Sequence, residues 1–296
     1  MKFPQKVSIV EVGPRDGLQN EPYVMSTGMK INLVNCLIMS GFKRIEATSF
    51  VHPQWIPQLK DAEEVIKGVD TGPDIRISAL IPNFRGYERA RDCGVKEINL
   101  VISASQSHNM KNVNRTIGES LKELSRITEA ALRDEIKVRG SVAVSFGCPY
   151  EGKVQPDRVF DIAGELKRMG CFEIVLADTV GAANPAQVYR VFSGTGEKVP
   201  GVGLAAHFHD TRGLGLANVL AAMQAGVTVF DSSIGGMGGC PYAPGAPGNI
   251  ATEKLVVMLS EMEIETGIDP CKMTACLDML LSIDGMGKTG GEISGG

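Results

Sequence analysis

Two of the chain's four histidines stand one residue apart, in His207-Phe208-His209. On an extended strand residues i and i+2 point to one side, so both imidazoles would face a single site. With Asp16 and an amide oxygen from Asn249, they make a mixed nitrogen and oxygen donor set. That set suits Mg2+ or Mn2+ better than structural Zn2+, which favours thiolates and tetrahedral closure. The pair alone is equally consistent with polar side chains satisfied at a strand end. Arg15-Asp16 reads either as a surface ion pair or as a cation beside a metal ligand. Glu46 is a strand-end charge facing water or an acid–base group, and Asp178 is an acid–base group or a cap before Asn184-Pro185. Residues 231–249 hold six glycines, three prolines and Cys240. Such a segment is a loose connection or a lid that excludes water and brings a thiol to the reacting atoms. Cys148 and Cys171, on or beside strands, read as small core residues.

These residues need a frame. Apolar runs recur at Val7–Val12, Arg44–Ala47, Ile75–Leu80, Glu97–Ile102, Lys137–Val144, Phe172–Ala177, Gly203–His207 and Thr228–Asp231. Helix-like segments separate them at Met29–Met39, Asp61–Gly68, Tyr87–Cys93, Ile117–Arg133, Pro156–Met169, Pro185–Phe192 and Gly215–Ala225. Thr116-Ile117-Gly118-Glu119 is a capping box, and Asn184-Pro185 sets a cap before a first-turn proline. Strands buried on both faces and alternating with helices imply a parallel sheet. Eight such units predict a (β/α)8 TIM barrel, in the α/β class, with extra C-terminal helices. The first strand runs into Gly13-Pro14-Arg15-Asp16-Gly17, which is not the glycine pattern of a doubly wound nucleotide fold. The polar residues then fall on one rim: Glu11, Arg15, Asp16 and Gln19, then Glu46, Thr48 and Ser49, then Asn83. Asp178 and Thr179, His207, His209 and Asp210, and finally Cys240 and Asn249 complete it. We expect residues 1–284 to form one catalytic domain ending in two helices, and the Gly-rich tail 285–296 to be flexible.

Composition removes several functions. Thirty basic and 34 acidic residues give a formal charge of −4, far from the balance that neutralises many phosphates, so nucleic acid is not the expected partner. No stretch has the length and apolarity of a membrane span, and the amino terminus carries no signal core. Seven cysteines without a CxxC pair suggest reduced thiols. The expectation is a cytoplasmic homo-oligomer, a dimer or larger, acting on a small molecule.

Val10-Glu11-Val12-Gly13-Pro14-Arg15-Asp16-Gly17-Leu18-Gln19-Asn20-Glu21 closely resembles the opening of 3-hydroxy-3-methylglutaryl-CoA lyases. Glu46 to Val51, Gly147 to Lys153, Asp178 to Gly181, Ser233 to Tyr242 and Gly248 to Glu253 are similar to the same family, so the resemblance runs from about residue 5 to 270. The Arg-Asp-Gly-x-Gln element marks a wider superfamily of metal-dependent barrels, whereas the Cys-Pro-Tyr loop points to the lyase. The resemblance implies retro-aldol cleavage of 3-hydroxy-3-methylglutaryl-CoA to acetyl-CoA and acetoacetate, with Mg2+ or Mn2+. It implies Asp16, His207, His209 and Asn249 as metal ligands and Arg15 at the enolate oxygen. Cys240 would assist proton transfer, Glu46, Asp178 and His207 would place or move the hydroxyl proton, and Gln19 and Ser49 would contact substrate. A fixed cation at the developing oxyanion is what such a reaction needs most.

The chain departs from the family pattern at Phe208, Arg212 and Leu214, at Gln106 and His108, and at Ile81. Arg212 suggests a related 3-hydroxy-acyl-CoA as preferred substrate. The alternatives are an acetyl-CoA condensing synthase of the same superfamily and a non-catalytic CoA- or metal-binding relic.

Overall fold

The structure, a computed structural model, describes residues 3–238 and 248–283. Eight parallel strands form its centre: β1 (Ser8–Glu11), β2 (Arg44–Ser49), β3 (Arg76–Leu80), β4 (Glu97–Ser103), β5 (Lys137–Ala143), β6 (Glu173–Asp178), β7 (Gly203–Phe208) and β8 (Val229–Ser232). Each pairs with its successor, and β8 returns to β1, closing a TIM barrel. Around it lie α1 (Thr27–Met39), α2 (Ala62–Gly68), α3 (Phe84–Asp92), α4 (Gln106–Val113), α5 (Ile117–Arg133), α6 (Pro156–Met169), α7 (Pro185–Lys198) and α8 (Gly215–Gln224). Two C-terminal helices follow, α9 (Thr252–Glu261) and α10 (Pro270–Leu281). No helix among the described residues is long and apolar enough to cross a membrane.

The local signals act as chemistry requires. Thr116 accepts from the Glu119 backbone while the Glu119 carboxylate reaches back to the Thr116 N–H, so α5 starts where two orphan donors are satisfied. Asn184 caps α7 through the Gln187 N–H, with Pro185 in the first turn. Gly170 ends α6 with φ +107°, a left-handed turn that lets Cys171 lead into the next strand. Helix α4 was not legible: its eight residues are largely polar, and its cap is Ser105, whose hydroxyl accepts from the His108 N–H at 3.2 Å.

The barrel interior is more charged than an aliphatic fill would make it. Arg44, Glu97, Arg139 and Glu173 are all buried towards the amino-terminal ends of the strands, where they pair with one another. The expectation of uniformly reduced thiols fails. Helices α1 and α10 pack side by side, bring the Cα atoms of Cys36 and Cys276 within 5.9 Å, and carry a disulfide between them. The partners are 240 residues apart in sequence, so no spacing rule exposes them. Cys148 and Cys171 are buried free thiols.

Candidate active site

The cluster begins at the end of β1. There the N–H groups of Arg15, Asp16 and Gly17 converge on the Val12 carbonyl at 3.1, 2.7 and 3.3 Å, coiling Gly13–Gly17 into a π-helical turn. Strand β7 delivers His207, and His209 follows just past its end. Between them Phe208 takes the opposite face and packs its ring 6.0 Å from Phe146 and 6.3 Å from Phe192. One ligand atom from each of Asp16, His207 and His209 falls within 4.8 Å of the others.

The electrostatics fit a cation there. Burial would raise the Asp16 carboxyl, but Arg15 and the two histidines hold it well below the ordinary carboxylate range. Burial and the neighbouring His207 push His209 down to about 4, so its ring is neutral and free to donate a lone pair. His209 Nδ1 is buried without a hydrogen-bond partner among the described residues, the mark of a polar atom reserved for something else. Burial disfavours charge on His207 too, yet Asp231 and Asp16 more than offset it. His207 Nε2 stands 3.9 Å from Asp16 Oδ2, too far to hydrogen-bond but close enough to share an ion. The donor set of one carboxylate and two imidazoles therefore suits a divalent metal. Asn249 also reaches the cluster, bridged to His209 through the backbone. Its Nδ2 donates to Asp16 Oδ2 at 2.8 Å and to the Met237 carbonyl at 3.0 Å, so it is the amide nitrogen that meets Asp16.

Arg15 is nearly buried. Its guanidinium binds Asp16 through one nitrogen and Glu46 through another. Glu46 does not face water: it is fully buried, and its second oxygen accepts from Asn99 Nδ2 at 2.7 Å. Ser141 in turn donates to Asn99 Oδ1 at 2.8 Å. A polar string from β5, β4 and β2 thus aims one cation at the cluster.

Asp178 closes β6 and organises the loop after it, while Asn184 caps α7. The Asp178 carboxylate accepts the Ala182 and Ala183 N–H groups at 2.8 and 3.0 Å, which folds the loop before α7. Burial dominates its titration and pushes its carboxyl up to about 6 despite those bonds. Ser49 spends its hydroxyl on the Leu80 carbonyl at 3.1 Å. Gln19 lies half-buried just beyond the π-helical turn. Cys240 and the rest of 239–247 in the proposed lid lie outside the described residues, as does the 285–296 tail. Asn83 caps α3, Asp210 accepts the Gly215 N–H at the start of α8 at 2.7 Å, and Thr179 accepts from the Val144 N–H at 3.0 Å.

The sequence departures have structural uses. Arg212 binds the carbonyls of Gly181, Ala182 and Ala183, so it braces the loop that follows Asp178. Leu214 is half-buried at the start of α8, and Ile81 is core. Gln106 accepts from the Ile117 N–H at 3.1 Å, tying α4 to α5. His108 is buried with Nδ1 2.7 Å from the Ser103 hydroxyl. These contacts give Arg212 a bracing role beside the one in substrate choice expected of it.

Two residues escaped the sequence reading. Asp231 on β8 meets His207 Nδ1 at 3.3 Å, and Arg139 on β5 grips Asp231 with both terminal nitrogens, at 3.1 and 2.7 Å. The available signal was a charge at an inward position of an otherwise apolar strand, which is expensive unless paired.

Residues 6–280 match the HMGL-like family. The hydroxymethylglutaryl-CoA lyase YngG of Bacillus subtilis (strain 168) is 48% identical over 268 residues, covering 90% of each chain. The mitochondrial hydroxymethylglutaryl-CoA lyase of Homo sapiens is 47% identical over 271 residues, covering 92% of this chain and 83% of that one. The structure of an HMG-CoA lyase from Acinetobacter baumannii, in complex with coenzyme A and 3-methylmalate, superposes with a TM-score of 0.89. It is 45% identical and covers 95% of this chain and 92% of that chain.

Proposed function

The chain belongs to the HMGL-like family, and on that premise we propose that it is a carbon–carbon lyase cleaving 3-hydroxy-3-methylglutaryl-CoA to acetyl-CoA and acetoacetate. The observation that carries this reading is the arrangement of Asp16, His207 and His209 beside the buried guanidinium of Arg15, on the carboxyl rim of the barrel. Asp16, His207 and His209, joined by Asn249 once its amide turns its oxygen inward, would hold a divalent ion, Mg2+ or Mn2+. Bound there, the ion would fix the substrate's 3-hydroxyl and carboxylate and lower the hydroxyl's pKa.

The remaining work falls to the chain's own groups. Arg15 carries a fixed positive charge for the thioester enolate oxygen left when the bond breaks, and Glu46 holds that charge in place. Asp178 is the preferred acceptor of the hydroxyl proton, because a carboxyl near pKa 6 is well matched to neutral pH and its orientation is fixed by two backbone donors. His207 has one nitrogen engaged by Asp231 and the other turned to the cluster, which makes it a holder more than a carrier of protons. Gln19 and Ser49 stand on the same rim as substrate contacts, and Cys240 is assigned the return of a proton to the enolate carbon.

The test is direct. Incubation with 3-hydroxy-3-methylglutaryl-CoA and Mg2+ should yield acetoacetate and acetyl-CoA. Condensation from acetyl-CoA and a 2-oxo acid, without cleavage, would replace the lyase by a synthase. Inactivity in both directions, with the fold intact, would leave a non-catalytic binding protein.

A further inference from the structure

His207 and Asp231 are direct register partners on adjacent strands β7 and β8, so the pleat points both side chains into the barrel together. The imidazole has two nitrogens, and the hydrogen bond made by one decides what the other offers. Here the carboxylate takes Nδ1 at 3.3 Å, and Nε2 is the atom turned toward Asp16, 3.9 Å away. A carboxylate acceptor requires the proton on Nδ1, which in the neutral ring leaves the Nε2 lone pair bare.

Asp231 cannot hold that post unaided. It is 4% exposed, so its oxygens depend on protein donors to keep one of them on His207. Arg139 supplies those donors. Its guanidinium, 1% exposed, crosses from β5 and meets both oxygens of Asp231, the two-pronged geometry that fixes orientation as well as charge. Arg139 is itself held: its Nε donates 2.7 Å to Glu173 on β6, and Arg44 on β2 grips both oxygens of Glu173 at 3.0 and 2.8 Å. Arg44 also reaches Glu97 at 3.2 Å. The chain of groups is Arg44, Glu173, Arg139, Asp231, His207; the first four are buried and the last, at the rim, is half-buried. Two arginines against the three carboxylates Glu97, Glu173 and Asp231 leave one formal negative charge, and Asp231 places a carboxylate directly under the cluster. His209 has no such support, since its Nδ1 lacks a hydrogen-bond partner among the described residues.

We infer that Asp231, clamped by Arg139, is a positioning residue that fixes the tautomer and orientation of His207 and thereby sets the affinity of the site for a divalent cation. The inference rests on reading Asp16, His207 and His209 as the metal site. Removing a group that orients a ligating imidazole typically weakens metal binding by about 10- to 100-fold.

The experiment is a calorimetric Mn2+ titration of the metal-free full-length protein, with circular dichroism to establish folding. Asp231→Asn should bind Mn2+ about 10- to 100-fold more weakly than wild type. Arg139→Lys, which keeps the charge and loses the fork, should lie between the two. Unchanged Mn2+ affinity in a folded Asp231→Asn protein, even with a lowered melting temperature, would overturn the positioning role and leave the metal site standing. Absence of Mn2+ binding in wild type would remove the metal site, and this inference with it. A measurement on wild type alone guards against a variant that does not fold. Nitrogen-15 histidine spectra of the metal-free protein in alkaline buffer should show His207 protonated at Nδ1 and bare at Nε2. The opposite tautomer would overturn the inference.

Discussion

The guanidinium of Arg15 lies between two carboxylates, donating to Glu46 from Nε and to Asp16 from a terminal nitrogen. Glu46 is the deeper of the two and fully buried, so it acts as a bracket that sets where the cation sits. Glu46→Gln keeps an acceptor but loses the charge. We expect kcat to fall about 10- to 100-fold with KM little changed, because the bracket serves a charge that matters most in the transition state. An equal rise in KM with kcat preserved would place Glu46 in ground-state binding instead.

Arg15→Gln removes the cation itself. Turnover should drop by at least about 100-fold while the melting curve stays cooperative, as when a preorganised oxyanion partner is deleted. Steady-state kinetics decides the matter, and wild-type turnover would end the enolate role.

Glu11 gives a pH signature in stability. Burial pushes its carboxyl up to about 7 even though Thr252 and the Ile234 and Gly13 N–H groups all donate to it. The folded chain therefore keeps this proton up to about pH 7, whereas the unfolded chain releases it near the ordinary value of 4.5. Stability from this group is greatest below 4.5, falls as pH rises towards 7, and levels off above. The full loss is about 3 kcal/mol at roughly 1.4 kcal/mol per unit. Denaturant titrations of wild type and Glu11→Gln across that window should diverge, with the variant losing less stability as pH rises. Parallel curves would show that Glu11 titrates normally. Asp178 is raised in the same sense but is common to both proteins and cancels in the comparison.

Arg212→Leu separates bracing from substrate choice. The loop whose N–H groups orient Asp178 would lose its ties at Gly181, Ala182 and Ala183, so kcat should fall about 3- to 10-fold, a loss of roughly 1 kcal/mol. The ratio of kcat/KM between 3-hydroxy-3-methylglutaryl-CoA and an analogue with another 3-substituent should not change. A shifted ratio would return Arg212 to the substrate.

Gly238 holds φ at +98°, and a Cβ there would lie 2.6 Å from Asn249 Nδ2 and 3.1 Å from the Asp16 carbonyl. Gly238→Ala should cost about 1–3 kcal/mol in backbone strain. It should also push Asn249 off the cluster and weaken Mn2+ binding about tenfold, an order of magnitude typical for a misplaced support. Thermal melts and Mn2+ titration read the two effects separately, and wild-type Mn2+ affinity would show that Asn249 tolerates the displacement.

The barrel was legible because each strand announces itself as a short apolar run closed by a glycine or a cap, and period-two alternation was enough to set His207 and His209 on one side. Phe208, between them, was legible as a departure but not as a core residue, since its partners Phe146 and Phe192 come from other units. Arg139 and Asp231 were illegible for a related reason. Neither has an oppositely charged neighbour in its own strand, and only closure of the barrel brings the two together across it. For Glu46 a water-facing charge stayed open beside an acid–base group, because nothing near it in sequence signals Arg15 or Asn99 as partners. The Cys36–Cys276 disulfide depends on α10 docking beside α1, which no local pattern encodes.

Glu11 has a consequence for how the chain is made. Its partners outside its own turn, the Ile234 N–H and the Thr252 hydroxyl, lie 223 and 241 residues downstream. A chain still emerging from the ribosome has β1 exposed along one edge and an acidic side chain with no buried donors to receive it. Such an edge is open to unwanted strand pairing until β8 arrives, and a solvated carboxylate is a good deterrent to it. The same atoms thus guard the unfinished barrel against association and, once β8 and α9 arrive, become the latch along its closing seam.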